Sequence, residues 1–247
     1  VPHGCDYYDA ITVGEKLARD SRFFLEGGAK NIARRDGMGT TLLSFAEETQ
    51  RIPDVYFQAV GSGTGAIAAW ENAQRLEADG RFGSNNMRVY VAQNAPFTLI
   101  ADSWKAGSRE LVSLSPEVGR RNAEMVLAKV LANRKPPYSL AGGLYDVLTA
   151  SNGACLTCSN DELLYSMLLF RNLEGYDLLP AACCAVSSLI NAVHSGLVKK
   201  DEFIMLNCTG GGSMASMSMG YKLKEPDLIV SPDVDEDELI RDVNRLF

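Results

Sequence analysis

The most constraining feature of the chain is a glycine-rich turn between an apolar strand-like run, 54–60, and a helical pattern, 64–79. In an α/β protein, such a turn directs successive backbone N–H groups toward one point, and the helix dipole adds positive potential there. Two hydroxyl groups within the turn are further donors. The sequence therefore predicts an anion-binding cup, which consists of Gly61, Ser62, Gly63, Thr64 and Gly65.

The cup does not match either common nucleotide-binding fingerprint. No lysine follows Gly65, as the G-x-x-x-x-G-K-[ST] loop requires, and Ala66 stands where the third glycine of G-x-G-x-x-G belongs. We therefore expect a phosphate site that serves neither ATP nor NAD. An ordinary tight strand-to-helix turn remains the alternative, because an isolated glycine pattern is a weak signal.

Composition excludes several classes of protein. The 247 residues include 24 Lys and Arg against 31 Asp and Glu, a net charge of −7, and no basic cluster that would follow a nucleic acid backbone. No apolar run reaches the roughly twenty residues of a membrane span, and we expect no secretory signal. We expect a cytoplasmic protein whose six cysteines are reduced and mostly buried. Cys155 and Cys158 form a C-x-x-C without a second pair, so no metal site is predicted.

Helical and strand-like patterns alternate along the chain. This alternation predicts an α/β fold with three layers, in which helices cover both faces of a largely parallel sheet. Because the first pattern is a helix, we expect earlier strands of the sheet to be missing. Helices are predicted over 9–20, 40–51, 64–79, 116–133, 160–172, 180–195 and 235–246, and strands over 23–26, 54–60, 87–92, 145–149, 154–158 and 202–207.

A second glycine-rich segment follows the strand predicted over 202–207. It contains Thr209 and the glycines 210–212. Ligands of parallel sheets bind at the carboxyl ends of the strands, so this loop and the cup are predicted to face one crevice. On its own, the segment is more typical of a glycine-rich loop with a cap than of a ligand site.

Six motifs, taken together, identify a family. In order and spacing they resemble the fold-type II pyridoxal-phosphate enzymes of the threonine synthase branch, over nearly the whole chain. The matching segments are Tyr8-Asp9-Ala10, the run 31–40, the cup, the strand 89–93, Glu174-Gly175 with Pro180, and Thr209-Gly210. The resemblance implies that the cup binds the phosphate of pyridoxal 5′-phosphate, and that the Thr209 hydroxyl faces the pyridine nitrogen.

The sequence departs from the threonine synthase pattern at two places. The family continues T-G-H-G-L-K-D, whereas this chain has Gly211, Gly212 and Ser213 after Thr209-Gly210; Gly39 also replaces a lysine before Thr40. With these departures the chain is most similar to the cysteate synthases of methanogenic archaea. That likeness implies a β-replacement in coenzyme M synthesis, in which O-phosphoserine and sulfite give cysteate and phosphate.

The resemblance also sets expectations about what the chain contains. The Schiff-base lysine of the family lies in an S-F-K-D-R-like motif, which we expect upstream of Val1; no catalytic residue is assigned within the chain. Residues 1–21 are expected to be the last helix of the small domain, and 22–247 the large cofactor-binding domain. The full-length enzyme is expected to form a homodimer, and whether this fragment retains the cofactor is left open.

Three alternatives to cysteate synthesis remain at this point. A threonine synthase acting on O-phosphohomoserine would use the same cofactor contacts. A cysteine-synthase-type enzyme is disfavoured because its phosphate loop has a different run of threonines and glycines. A non-catalytic binding domain would keep the cup without the lysine.

Overall fold

A four-stranded parallel sheet forms the centre of the computed structural model, which describes residues 1–222 and 224–246. The strands follow the spatial order β3-β2-β1-β4. Val55 of β1 is in register with Arg88 of β2 and with Ile204 of β4, and Tyr90 of β2 is in register with Ala154 of β3. The strand bounds are β1 Val55–Ala59, β2 Arg88–Asn94, β3 Ala154–Cys158 and β4 Ile204–Leu206.

Helices connect the strands, as a parallel sheet requires. Several begin at the residues that cap them: Asn31 accepts from the backbone of Arg34, and Ser159 forms a capping box with Glu162. None of the described helices has both the length and the apolar content to cross a membrane. The helices are α1 Tyr7–Leu17, α2 Ile32–Thr49, α3 Thr64–Asp79, α4 Leu99–Lys105, α5 Pro116–Met125, α6 Leu144–Ala150, α7 Asn160–Glu174, α8 Pro180–His194, α9 Ser213–Ser218 and α10 Glu236–Asn244, with short 3-10 turns at Gly28–Lys30 and Lys129–Leu131.

Alternate side chains of the strands build two separate parts of the core. Tyr56 and Val89 point into a cluster that includes Ile67 of α3 and Leu148 of α6. Phe57, the next residue of β1, points to the opposite face, where it packs with Tyr90 and with Ala192 of α8. Every residue of β1 is buried, because helices cover the sheet on both faces. The three-layer α/β prediction is therefore confirmed.

Ion pairs attach α1 to the rest of the chain. The Asp9 carboxylate accepts from Arg120 at 3.1 Å and from Arg134 at 2.7 Å, and Arg134 also binds Asp6 at 2.7 Å. Burial acts to raise the pKa of Asp9, but the Asp6 backbone N–H and the two guanidinium groups outweigh it and hold the pKa below 3.8. At the other end of α1, the Lys16 ammonium donates to the carbonyl of Pro232 at 2.6 Å.

Several predicted elements were wrong. Residues 23–26 form no strand; Phe24 is 87% exposed, and Gly27 begins a left-handed turn directly afterwards. Residues 145–149 lie in α6, because Leu144, Val147 and Leu148 bury one helical face, and this spacing prevails over β-branched propensity.

Two helix boundaries also differ from the predictions. The helix predicted over 116–133 ends at Met125, since Val126 is extended with ψ 148°. The helix predicted over 40–51 begins earlier, at Ile32, where Asn31 caps it. Polar residues and two glycines in its first turns hide the apolar periodicity there.

Candidate functional site

The cup lies where β1 ends and α3 begins, as predicted. Gly63 is the N-cap of α3 and has a φ of 83°, in the left-handed region that side-chain-bearing residues rarely adopt. The oxygens of Ser62 and Thr64 lie 3.1 Å apart. Thr64 is buried, whereas Gly61 and Ser62 are partly exposed. The turn therefore has a closed inner side and an accessible outer side.

The first turn of α3 has donors available for an anion. No side chain caps this helix within the described part of the chain, and its first backbone bond in the turn runs from the Ile67 N–H to the Gly63 carbonyl. The N–H groups before that of Ile67 point outward from the N-terminal end of α3, which is also the positive end of the helix dipole. The arrangement fits a phosphate group, which needs several donors converging on one point.

Gly65 lets α3 approach the sheet closely beneath the cup. A Cβ at this position would lie 2.6 Å from both terminal atoms of the Gln58 side chain. Gln58 is on β1 and is only 6% exposed. The first turn of α3 therefore rests directly on a buried amide of the strand.

Thr209 leaves the sheet beside the cup. It lies three residues after the end of β4, the strand next to β1, and the Asn207 N–H donates to the Phe57 carbonyl at 2.9 Å. Because β1 and β4 are parallel neighbours, the structure brings the two predicted loops to the same edge of the sheet. Thr209 itself is exposed there, so its hydroxyl is accessible to a ligand.

The loop that bears Thr209 is held by the segment before α8. The Leu179 N–H donates to the Gly210 carbonyl at 3.0 Å, and the Gly212 N–H donates to the Asp177 carbonyl at 2.9 Å. The Asp177 carboxylate also accepts from the Met214 N–H at 3.0 Å. These bonds fix the backbone on the C-terminal side of Thr209.

Three polar residues next to the cup were missed by sequence reasoning; Tyr56 and Gln58 are buried and Asn207 is partly exposed. The Tyr56 hydroxyl donates to the Gln58 side-chain oxygen at 2.5 Å and accepts from the Asn207 amide at 2.7 Å. Burial raises the pKa of Tyr56 strongly, so the phenol remains protonated. The available signals were a glutamine within an otherwise apolar strand and an asparagine just before the Thr209 loop.

The cysteines do not gather into a site. Cys155 and Cys158 are three residues apart on β3, so their side chains point to opposite faces of the sheet, toward different core clusters. Cys158 instead contacts Cys184 of α8, with 3.3 Å between the sulfur atoms. Burial raises the pKa of the Cys183 thiol to about 12. Among residues 1–222 and 224–246, no group of three or more His, Cys, Asp or Glu side chains is placed to hold a metal ion.

The parallel sheet, its covering helices and a glycine-rich turn at the carboxyl end of β1 define an α/β protein whose candidate site lies at that edge of the sheet. Residues 1–210 match the family described as pyridoxal-phosphate dependent enzyme. The chain belongs to this family, whose cofactor is pyridoxal phosphate.

Two relatives indicate where in the family the chain lies. It is 44% identical over 240 residues to a cysteate synthase of Methanosarcina barkeri, covering 96% of this chain and 58% of that protein. It is 49% identical over 211 residues to a cysteate synthase of Methanoculleus marisnigri, covering 84% of this chain and 48% of that protein. The chain thus spans about half the length of these relatives.

Solved structures share the fold at low identity. A fungal L-serine ammonia-lyase from Rhizomucor miehei matches with a TM-score of 0.56 and 16% identity, over 75% of this chain and 55% of that one. Maize serine racemase matches with a TM-score of 0.53 and 12% identity, over 76% of this chain and 52% of that one. At this identity the likeness concerns the fold alone.

Proposed function

We propose that this chain is the cofactor-binding part of a longer enzyme that converts O-phosphoserine and sulfite into cysteate and phosphate. The observation that carries the proposal is the 44–49% identity to cysteate synthases over 84–96% of the chain, in a region that includes the cup and Thr209. In this reaction sulfite replaces the phosphate group at Cβ of the amino acid.

In this proposal the cup holds the cofactor phosphate. The uncapped N–H groups at the start of α3 donate to the phosphate oxygens, and the Ser62 hydroxyl adds a donor from the exposed side. Each charge-assisted hydrogen bond contributes about 1.5–3 kcal/mol. Because the N–H donors belong to the backbone of α3, they would hold the phosphate in one place throughout the reaction.

Thr209 is proposed to bind the opposite end of the cofactor. Its hydroxyl would bind the pyridine nitrogen and, unlike a carboxylate, would not hold that nitrogen protonated. When bound, pyridoxal phosphate supplies the electron sink for breaking bonds at the amino acid, and the protein supplies position and electrostatics. A neutral hydroxyl at this position would weaken the electron sink, which would favour elimination at Cβ.

The organisation of the whole enzyme follows from the same proposal. Residues 1–21 are proposed to be the last helix of the small domain and 22–247 the large domain, with the Schiff-base lysine supplied by the small domain. We further propose a homodimer in the cytoplasm that serves coenzyme M synthesis. The ion pairs of Asp9 with Arg120 and Arg134 would then be contacts between the two domains.

An assay of the complete enzyme tests the reaction. The purified protein is loaded with pyridoxal phosphate and given O-phosphoserine with sulfite, and cysteate and phosphate are both quantified. We expect the two products in equal amounts, and no phosphate release from O-phosphohomoserine. Threonine formed from O-phosphohomoserine, without cysteate from O-phosphoserine, would contradict the proposal and assign the threonine synthase reaction instead.

A further inference from the structure

Tyr56, Gln58 and Asn207 form a hydrogen-bonded triangle at the carboxyl edge of the sheet, with Asn207 partly exposed. Tyr56 is fully buried and Gln58 is 6% exposed. The Tyr56 hydroxyl donates to Gln58 at 2.5 Å and accepts from Asn207 at 2.7 Å, and the Asn207 amide also lies 3.4 Å from the Gln58 oxygen. We call these three residues the polar triangle.

The polar triangle sits in apolar surroundings. Tyr56 belongs to the core cluster that contains Ile67, Val89 and Val91. Burying polar groups is costly unless they bond to one another, and a fully bonded buried network specifies one arrangement of the elements that bear it. An apolar side chain at position 56 would fill the same space without this constraint, so the hydrogen bonds call for a separate explanation.

Two corners of the triangle adjoin different parts of the proposed cofactor site, and the third corner joins them. Gln58 lies against Gly65 in the first turn of α3, within the cup. Asn207 is the first residue after β4 and lies two residues before Thr209. Tyr56 joins the two, since its hydroxyl bonds to both. The polar triangle is therefore a direct link between the cup and the strand that leads to Thr209.

We infer that the polar triangle is a positioning unit that sets the distance between the phosphate cup and the Thr209 hydroxyl. This inference rests on the proposed function, because it assigns these two points to opposite ends of one rigid cofactor. The backbone bond from Asn207 to Phe57 fixes β4 beside β1. The polar triangle adds a second constraint, because it bonds Asn207 to the Gln58 side chain against which Gly65 of α3 packs.

Tyr56→Phe in the complete enzyme tests the inference, because it removes only the shared hydroxyl. We expect the affinity for pyridoxal phosphate to fall about tenfold, and the ³¹P resonance of the bound phosphate and the absorbance of the ring to change. We also expect kcat to fall more than KM rises. Asn207→Ala is the second variant; it removes one bond to the hydroxyl, keeps the tyrosine in the core, and is expected to have the same effects.

Tyr138→Phe is the matched control. Tyr138 is also fully buried and belongs to the same core cluster, but its hydroxyl donates to the Ser108 carbonyl at 3.1 Å, outside the proposed site. We expect a comparable loss of thermal stability, with cofactor affinity and spectra like those of the wild type.

Two results would overturn the inference. One is a cofactor affinity within twofold of wild type, with unchanged spectra, in both Tyr56→Phe and Asn207→Ala. The other is a loss of cofactor affinity in Tyr138→Phe that equals the loss in Tyr56→Phe. A wild-type enzyme that binds the cofactor but makes no cysteate would contradict the proposed reaction only. The positioning role would still be tested by the comparison of cofactor affinities and spectra.

Discussion

Replacing Gly65 with alanine tests the packing that shapes the cup. The added Cβ would lie 2.6 Å from both terminal atoms of Gln58, and the Gln58 amide is held by the hydroxyl of Tyr56 at 2.5 Å. The Gln58 side chain cannot move away from the added Cβ without losing its hydrogen bond to Tyr56. Overpacking costs about 1–3 kcal/mol, whereas alanine in place of helical glycine gains about 0.5–1 kcal/mol. We expect the free energy of unfolding to fall by about 0.5–2 kcal/mol.

The matched control is Gly37→Ala. Gly37 lies within α2, is exposed, and has no atom within 4 Å of an added Cβ. Only the helix-propensity gain remains, so this variant is expected to be more stable by about 0.5–1 kcal/mol. Urea unfolding followed by circular dichroism measures both changes. A Gly65→Ala variant that is as stable as the wild type, or that shares the sign of Gly37→Ala, would refute the close contact with Gln58.

Three other substitutions or reagents test separate parts of the structure. Asp9→Asn is expected to lower the free energy of unfolding by about 1–3 kcal/mol at pH 7, whereas the exposed Asp227→Asn should lower it by about 0–0.5 kcal/mol. Because the pKa of Asp9 is lowered, urea titrations should show that the stabilisation by Asp9 is lost as the pH falls below about 4. Thr209→Val in the complete enzyme is expected to slow turnover about ten- to hundredfold, from one lost hydrogen bond to a buried acceptor, and wild-type kinetics would contradict its role. Iodoacetamide at pH 8, followed by mass spectrometry, should label the partly exposed Cys5 well before Cys183, whose pKa is raised to about 12; equal rates would contradict the burial of Cys183.

Local signals predicted the helix that follows the cup and also strands farther along the sheet. The helical pattern over 64–79 is α3, and the strand predicted over 154–158 is β3. These succeeded because apolar periodicity and the flanking glycines indicate the same structure. The order of motifs identified the family as well, which a single glycine pattern does not achieve. The roles of the cup and Thr209 in binding the cofactor remain predictions.

Contacts between distant residues were beyond the reach of sequence patterns. Asn207 lies 151 positions from Tyr56, and no spacing rule connects them. The sequence predicts a strand over 145–149, yet the burial of Leu144 and Leu148 on one face makes a helix more stable, although Val147 and Thr149 are β-branched. In both cases the deciding energy comes from packing against elements remote in sequence.

A crystal structure of the complete enzyme with bound pyridoxal phosphate tests the central claim most directly. We predict that the phosphate oxygens accept backbone N–H groups of residues 62–66 at about 2.7–3.2 Å, and that the Thr209 hydroxyl lies at hydrogen-bonding distance from the pyridine nitrogen. A phosphate bound elsewhere, or a ring nitrogen that faces another residue, would contradict the assignment of the cup and Thr209 as the two ends of the cofactor site.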